Sequence, residues 1–257
     1  MIGCSMHTGS QAVDGPAPRV SVLLLALLCL AGCFPAAIGD DQPEVGAPPA
    51  AARTGDLPPA ADFRIVAFGD SLTAGYGLSL ELAYPARLQE RLELAGYRAH
   101  VVNAGVSGET TAGGLRRIDW ALEGDVQVLI LALGGNDGLR GLPVEQMRDN
   151  LAHMISAARD SGAQVLLAGM EAPPNFGADY AERFRGVFEQ LAAEHDVVFV
   201  PFLLEGVAGV AGLNQADGIH PNAEGADRVA AHVWSALEPL LRAAQAPHAA
   251  NDLPGGS

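Results

Sequence analysis

Three residue types that together perform acyl transfer stand at opposite ends of this chain. Residues 66–77, VAFGDSLTAGYG, carry an apolar, β-branched run that breaks at Gly69-Asp70-Ser71 ahead of a helix-like segment, so the Ser71 hydroxyl falls at a strand-to-helix turn. In open α/β sheets such turns are where ligands bind, and the N–H groups of the following helix start stabilise negative charge. Near the other end, Asp217-Gly218-Ile219-His220-Pro221-Asn222 sets an acid three residues ahead of a histidine in a loop. A hydroxyl attacking a carbonyl needs a base to take its proton. That base, an imidazole, needs a carboxylate to fix its tautomer and stabilise its charged form. Taken singly, Asp70 and Ser71 read equally well as ordinary helix caps.

The oxyanion of a tetrahedral intermediate needs hydrogen-bond donors, and two more loops that follow apolar runs are candidates to supply them. Asn103-Ala104-Gly105-Val106-Ser107-Gly108 follows a strand-like stretch, and Gly105 is small enough for its backbone N–H to approach a substrate closely. Gly134-Gly135-Asn136-Asp137-Gly138 follows a second such stretch and offers the Asn136 amide. The plainer reading of both is turn punctuation.

The four blocks GDSLTAGYG, NAGVSG, GGND and DGIHPN occur in the order of the serine, glycine, asparagine and histidine blocks of the SGNH hydrolases, or GDSL esterases, and the chain resembles that family from Phe63 to Leu241. The resemblance implies Ser71 as nucleophile, Asp217 and His220 as its partners, and an oxyanion hole of Ser71, Gly105 and Asn136. Segments MEAPPNFGADY (170–180) and GGNDGLRGLP (134–143) are similar to those of the bacterial acyl-CoA thioesterase, lysophospholipase and arylesterase group. It implies cleavage of carboxylic esters and thioesters through an acyl-enzyme, with no cofactor and no metal. Removal of carbohydrate or peptidoglycan O-acetyl groups by the same machinery is the alternative. A lipid-binding module without catalysis is the third reading, and a complete proton relay argues against it. The Gly-x-Ser-x-Gly elbow of α/β-hydrolases is not matched, because Thr73 stands where its second glycine would.

These residues need a frame that gathers them. Strand-like runs near 63–68, 99–102, 126–133, 164–169 and 197–201 alternate with amphipathic segments near 82–96, 110–118, 143–161, 179–195 and 223–242. That alternation predicts an α/β fold with a parallel sheet of right-handed βαβ units. The family resemblance makes it a three-layer α/β/α, flavodoxin-like sheet of five strands. Ser71, Gly105 and Asn136 each follow a strand and so share one rim, and the 217–220 loop has to fold back to it. Pro143 suits the first position of its helix, and Gly96 and Gly162 suit helix ends.

Composition fits an exported α/β protein. The 257 residues are 49% hydrophobic, enough for one substantial core beside a leader. A net charge of −15 without a single lysine argues against a nucleic-acid partner, since phosphate binding needs clustered basic residues. Val20 to Leu30 is an apolar run too short to span a bilayer, and it follows Arg19 as a signal-peptide core would. It closes in Leu30-Ala31-Gly32-Cys33, which resembles the lipobox of bacterial lipoproteins, although the long segment ahead of it contains Asp14 and one arginine. The expected organisation is a signal peptide over 1–33, an Ala/Pro-rich tether over 34–61, the hydrolase domain over 62–242 and a flexible tail over 243–257. Lipidation of Cys33 would hold the domain at a membrane surface in the periplasm or cell envelope, and plain secretion is the alternative. All three cysteines lie in the leader, so the domain has neither a disulfide nor a thiolate metal site. The resemblance implies a small acyl ester or thioester as substrate. Asp70 and Asp137 read as structural, and Arg140 and Asn175 as exposed loop residues near the site.

Overall fold

The computed structural model describes residues 63–245. The expected signal peptide, Cys33, the tether and the last residues of the tail lie outside them. Five parallel strands, β1 (Phe63–Gly69), β2 (Ala99–Gly105), β3 (Val128–Ala132), β4 (Gln164–Ala168) and β5 (Val198–Val200), form one sheet in the order β2-β1-β3-β4-β5. This is the flavodoxin-like doubly wound order, in which the chain reverses direction across the sheet beside β1.

Every residue of β3 is buried, and all of β1 except Arg64. Strands covered on both faces must be apolar throughout, which is why Ile65 to Phe68 and Val128 to Ala132 read as unbroken hydrophobic runs. β2 is an edge strand, as β5 is at the other end, and is only half-buried. Helix α2 (Tyr84–Leu94) packs against α8 (Ala223–Gln245), while α3 (Thr111–Leu115), α6 (Val144–Asp160) and α7 (Ala178–His195) pack in succession. Right-handed crossovers put these two sets on opposite faces, giving three layers.

Local sequence explains where expectation and structure differ. The segment expected to be one helix over 110–118 is split into α3 and α4 (Ile118–Ala121). Gly113 and Gly114 weaken it, and Gly114 has to be bare, because a Cβ there would stand 2.3 Å from the Leu133 side chain. Two helices too short to show a period, α1 (Ser71–Ala74) and α5 (Gly135–Leu139), sit in the Ser71 and Asn136 loops. Pro143 precedes α6 as its cap residue rather than opening it, and α8 continues past residue 242 to Gln245. Gly96 and Gly162 do lie just past helix ends, with φ of +82° and +88°.

The strand register positions the site. Gly69 pairs with Gly105 on one side and with Ala132 on the other. The three strands therefore end level, and the loops carrying Ser71, Gly108 and Asn136 leave the sheet at one height.

Candidate active site

Ser71 is the first residue of α1, immediately after β1. The turn is tight because Gly69 has no side chain: a Cβ there would lie 2.1 Å from Thr73 Oγ1 and 2.7 Å from the Ala132 carbonyl. Asp70 caps α1 by accepting the Leu72 N–H at 3.0 Å, and Gly75 ends it in the left-handed region at φ +76°. Ser71 itself has no positive φ, so this serine is presented by an ordinary helix start rather than a strained elbow.

His220 arrives from the far end of the chain. Its Nε2 stands 3.0 Å from Ser71 Oγ, and its Nδ1 stands 2.7 Å from Asp217 Oδ2. The other carboxylate oxygen, Oδ1, accepts the backbone N–H groups of Ile219 at 2.9 Å and His220 at 3.0 Å. One exposed carboxylate thus both folds the histidine loop and orients its ring. The bond to the His220 ring and the two backbone donors hold Asp217 down to about pKa 2. An ionised Asp217 selects the Nδ1–H tautomer and leaves the Nε2 lone pair facing the serine hydroxyl.

The loop is anchored by Gln215. Its backbone N–H donates to the His220 carbonyl at 2.7 Å, and its side-chain amide donates to the carbonyls of Tyr76 at 2.7 Å and Pro221 at 2.9 Å. The Tyr76 ring lies against the imidazole, with centroids 4.6 Å apart.

Asn136 stands in the first turn of α5, and its Nδ2 donates to Asp70 Oδ2 at 3.1 Å. The next residue, Asp137, is buried and reaches across to α3, where it accepts the Thr111 N–H at 2.9 Å and the Thr111 hydroxyl at 2.7 Å. Burial raises the Asp137 pKa. Asp137 caps a neighbouring helix and so locks the Asn136 loop to the loop after β2.

Gly105 requires a correction. It ends β2 with its N–H donated to Asn103 Oδ1 at 3.0 Å, and its missing Cβ faces α1, 2.2 Å from the Ala74 nitrogen. It is bare so that α1 can pack against β2, and it does not line the cavity beside Ser71. Gly108, three residues on, does. Gly108 has φ +78°, and Arg140 donates to its carbonyl at 2.8 Å. Arg140 therefore holds the loop, while Asn175 lies in the 3-10 turn Pro174–Phe176 and is not part of the lining.

That cavity measures about 550 Å³ and is bounded by Ser71, His220, Asn136 and Gly108. Its remaining walls are largely apolar, with Leu139, Met170, Phe202 and Leu204 among them, and Glu171 lines it as well. Beneath the site, Arg117 pairs with Glu109, donates to the Gly69 carbonyl at 3.2 Å and lies 3.9 Å over the Phe68 ring. This support under the end of β1 was not foreseen, because nothing in the spacing of Glu109 and Arg117 separates it from a surface pair.

The family model described as GDSL-like lipase/acylhydrolase matches residues 67–228. The chain is 47% identical over 178 residues to esterase TesA of Pseudomonas aeruginosa, covering 69% of this chain and 89% of that protein. It is 36% identical over 183 residues to thioesterase 1/protease 1/lysophospholipase L1 of Escherichia coli, covering 71% and 86%. Among solved structures, a psychrotrophic esterase EstA from Pseudoalteromonas, inhibited by monoethylphosphonate, matches with a TM-score of 0.67 at 32% identity, covering 70% of this chain and all of that one.

Proposed function

The chain belongs to the GDSL-like lipase/acylhydrolase family and is a carboxylic ester hydrolase, and from that premise we propose that it works through an acyl-enzyme on Ser71. The observation that supports this most is the relay from Ser71 Oγ to His220 Nε2 at 3.0 Å and from His220 Nδ1 to Asp217 at 2.7 Å, opening into the cavity. His220 takes the hydroxyl proton as Ser71 attacks the ester carbonyl, and Asp217 stabilises the imidazolium. His220 then hands the proton to the departing alcohol or thiol. Water, activated by the same imidazole, releases the acid and restores the serine.

The oxyanion of each tetrahedral intermediate is received by the Ser71 N–H, the Asn136 amide and the Gly108 N–H, with Gly108 taking the place first given to Gly105. All three residues border one cavity. Donors fixed in advance cost no reorganisation as the charge develops.

The cavity favours acyl esters and thioesters over acetylated sugars. Its volume lies inside the range of about 300–1,000 Å³ that small-molecule sites occupy, and its walls are mainly apolar. The name of its Escherichia coli relative adds thioester and lysophospholipid substrates. The deciding experiment compares kcat/KM for p-nitrophenyl esters from acetate to decanoate, acyl-CoA, lysophospholipid and acetylated xylan. Rates that rise with acyl length beyond acetate support the reading, and activity confined to acetylated sugar overturns it.

We further propose that the chain is exported and that Cys33, in its Leu-Ala-Gly-Cys setting, is lipidated and becomes the mature N-terminus. Stable anchoring needs more than one acyl chain, which such a lipoprotein carries. Mass spectrometry of the mature terminus tests this: a diacylated Cys33 supports it, and an unmodified terminus within 36–52 means ordinary secretion.

A further inference from the structure

Asp70 is buried, 3% exposed, at the junction of the two halves of the site. Its two oxygens face different loops. Oδ1 accepts the Leu72 N–H at 3.0 Å and so shapes the turn that presents Ser71, while Oδ2 accepts Asn136 Nδ2 at 3.1 Å. Space around this second bond is tight, since a Cβ on Gly135 would lie 3.2 Å from the same Oδ2.

An asparagine amide has two ends of nearly the same shape and opposite polarity, and only its hydrogen-bond partners decide which end points where. Facing a carboxylate, the carbonyl end is repelled and the NH2 end is held. One of the two Nδ2 hydrogens is then occupied by Asp70, and the amide plane that this fixes aims the second. Turned over, the same amide would present its own oxygen to the developing oxyanion and oppose the reaction.

We infer that Asp70 is a positioning residue that selects and holds the donating orientation of the Asn136 amide, coupling the nucleophile turn to the oxyanion hole. This rests on the reading of Asn136 as an oxyanion donor. Burial raises the carboxyl of Asp70 to about pKa 6, against the Leu72 N–H, the Asn136 amide and the charge of His220, which lower it. A carboxylate so poorly hydrated binds its few partners strongly.

The test is a double-mutant cycle on the full domain, with p-nitrophenyl butyrate at pH 8. Asp70→Ser keeps a capping oxygen for the Leu72 N–H but is too short to reach Asn136. It is expected to lower kcat ten- to a hundredfold with KM within twofold. Asn136→Ala in the wild-type background is expected to cost about a hundred- to a thousandfold in kcat. In the Asp70→Ser background it is expected to cost less than tenfold more, because the amide it removes no longer points correctly. The same factor in both backgrounds overturns the role of Asp70. An Asn136→Ala enzyme with unchanged kcat overturns the oxyanion reading instead, so the two failures are distinct. If Asp70→Ser does not fold, as judged by circular dichroism, the isosteric Asp70→Asn takes its place in the cycle. It is expected to lose at least as much kcat and to shrink the Asn136→Ala effect in the same way, and additivity there overturns the inference equally.

Discussion

Replacing Asp217 by asparagine changes one heavy atom, and it is expected to be worse for turnover than deleting the whole side chain. Asp217 Oδ1 accepts two backbone N–H groups, from Ile219 and His220, and Oδ2 accepts the imidazole Nδ1–H. In Asp217→Asn the amide oxygen stays with the two backbone donors, because turning the NH2 toward them would set donors against donors. The NH2 then faces Nδ1 and forces the Nδ1 lone pair toward it, which places the proton on Nε2, opposite Ser71. A histidine in that tautomer has no lone pair for the serine proton. In Ser-His-Asp triads the wrong tautomer costs about ten-thousandfold in kcat. In Asp217→Ala no group imposes that tautomer, and since Asp217 is solvent-exposed, water can accept the Nδ1–H. The loss is then that of an unoriented general base, about a hundredfold within the range for such catalysts. Stability runs the other way, because asparagine keeps the loop bonds that alanine removes. The assay is kcat/KM with p-nitrophenyl butyrate beside thermal melting of both variants. An Asp217→Asn enzyme as active as Asp217→Ala, or more active, refutes the tautomer argument.

Three further outcomes follow from the same geometry. Gly105→Ala places a methyl 2.2 Å from the Ala74 backbone and is expected to destabilise the domain by about 1–3 kcal/mol, seen as a lower melting temperature. Gly108→Ala has open space, its nearest neighbour being Arg140 at 3.9 Å, but φ is +78°; it is expected to melt within a few degrees of wild type and to lose tenfold or more in kcat as its peptide shifts. The Asp70 carboxyl is raised to about 6 on folding, so the folded state binds the extra proton, and this group's contribution to stability is full below its unfolded pKa near 4 and lost as pH rises through 6. Asp70→Asn, which cannot ionise, is therefore expected to gain up to about 3 kcal/mol relative to wild type between pH 4 and pH 8, and parallel melting curves across that range would contradict it.

The sheet was legible because its central strands are covered on both faces: Ile65 to Phe68 and Val128 to Ala132 must be continuously apolar, and such runs are visible in a sequence. The helices α1 and α5 were not, since four or five residues show no period and both carry the glycines of turns. Ser71, Asp217 and His220, which the structure brings within hydrogen-bond reach of one another, were legible as types, because few other combinations of serine, acid and histidine lie after a strand and in one loop. Gly105 was misassigned for a physical reason. A glycine that is bare to let a helix pack and one that is bare to approach a ligand are the same letter, and only the neighbour of the missing Cβ tells them apart. Asp70 hid similarly, since a helix cap is explanation enough for an aspartate before a helix until its second oxygen is seen to hold Asn136.

The central claim is that Ser71 is the nucleophile, and its most direct test is covalent capture. A fluorinated alkyl phosphonate reacts preferentially with a serine activated by its base, and a related esterase is inhibited by a monoethylphosphonate. The enzyme should bind the reagent stoichiometrically with parallel loss of activity, and peptide mass spectrometry should find the adduct on Ser71, with no adduct in Ser71→Ala. An adduct on another residue, or a Ser71→Ala enzyme that still turns over esters at a rate near wild type, would contradict the account.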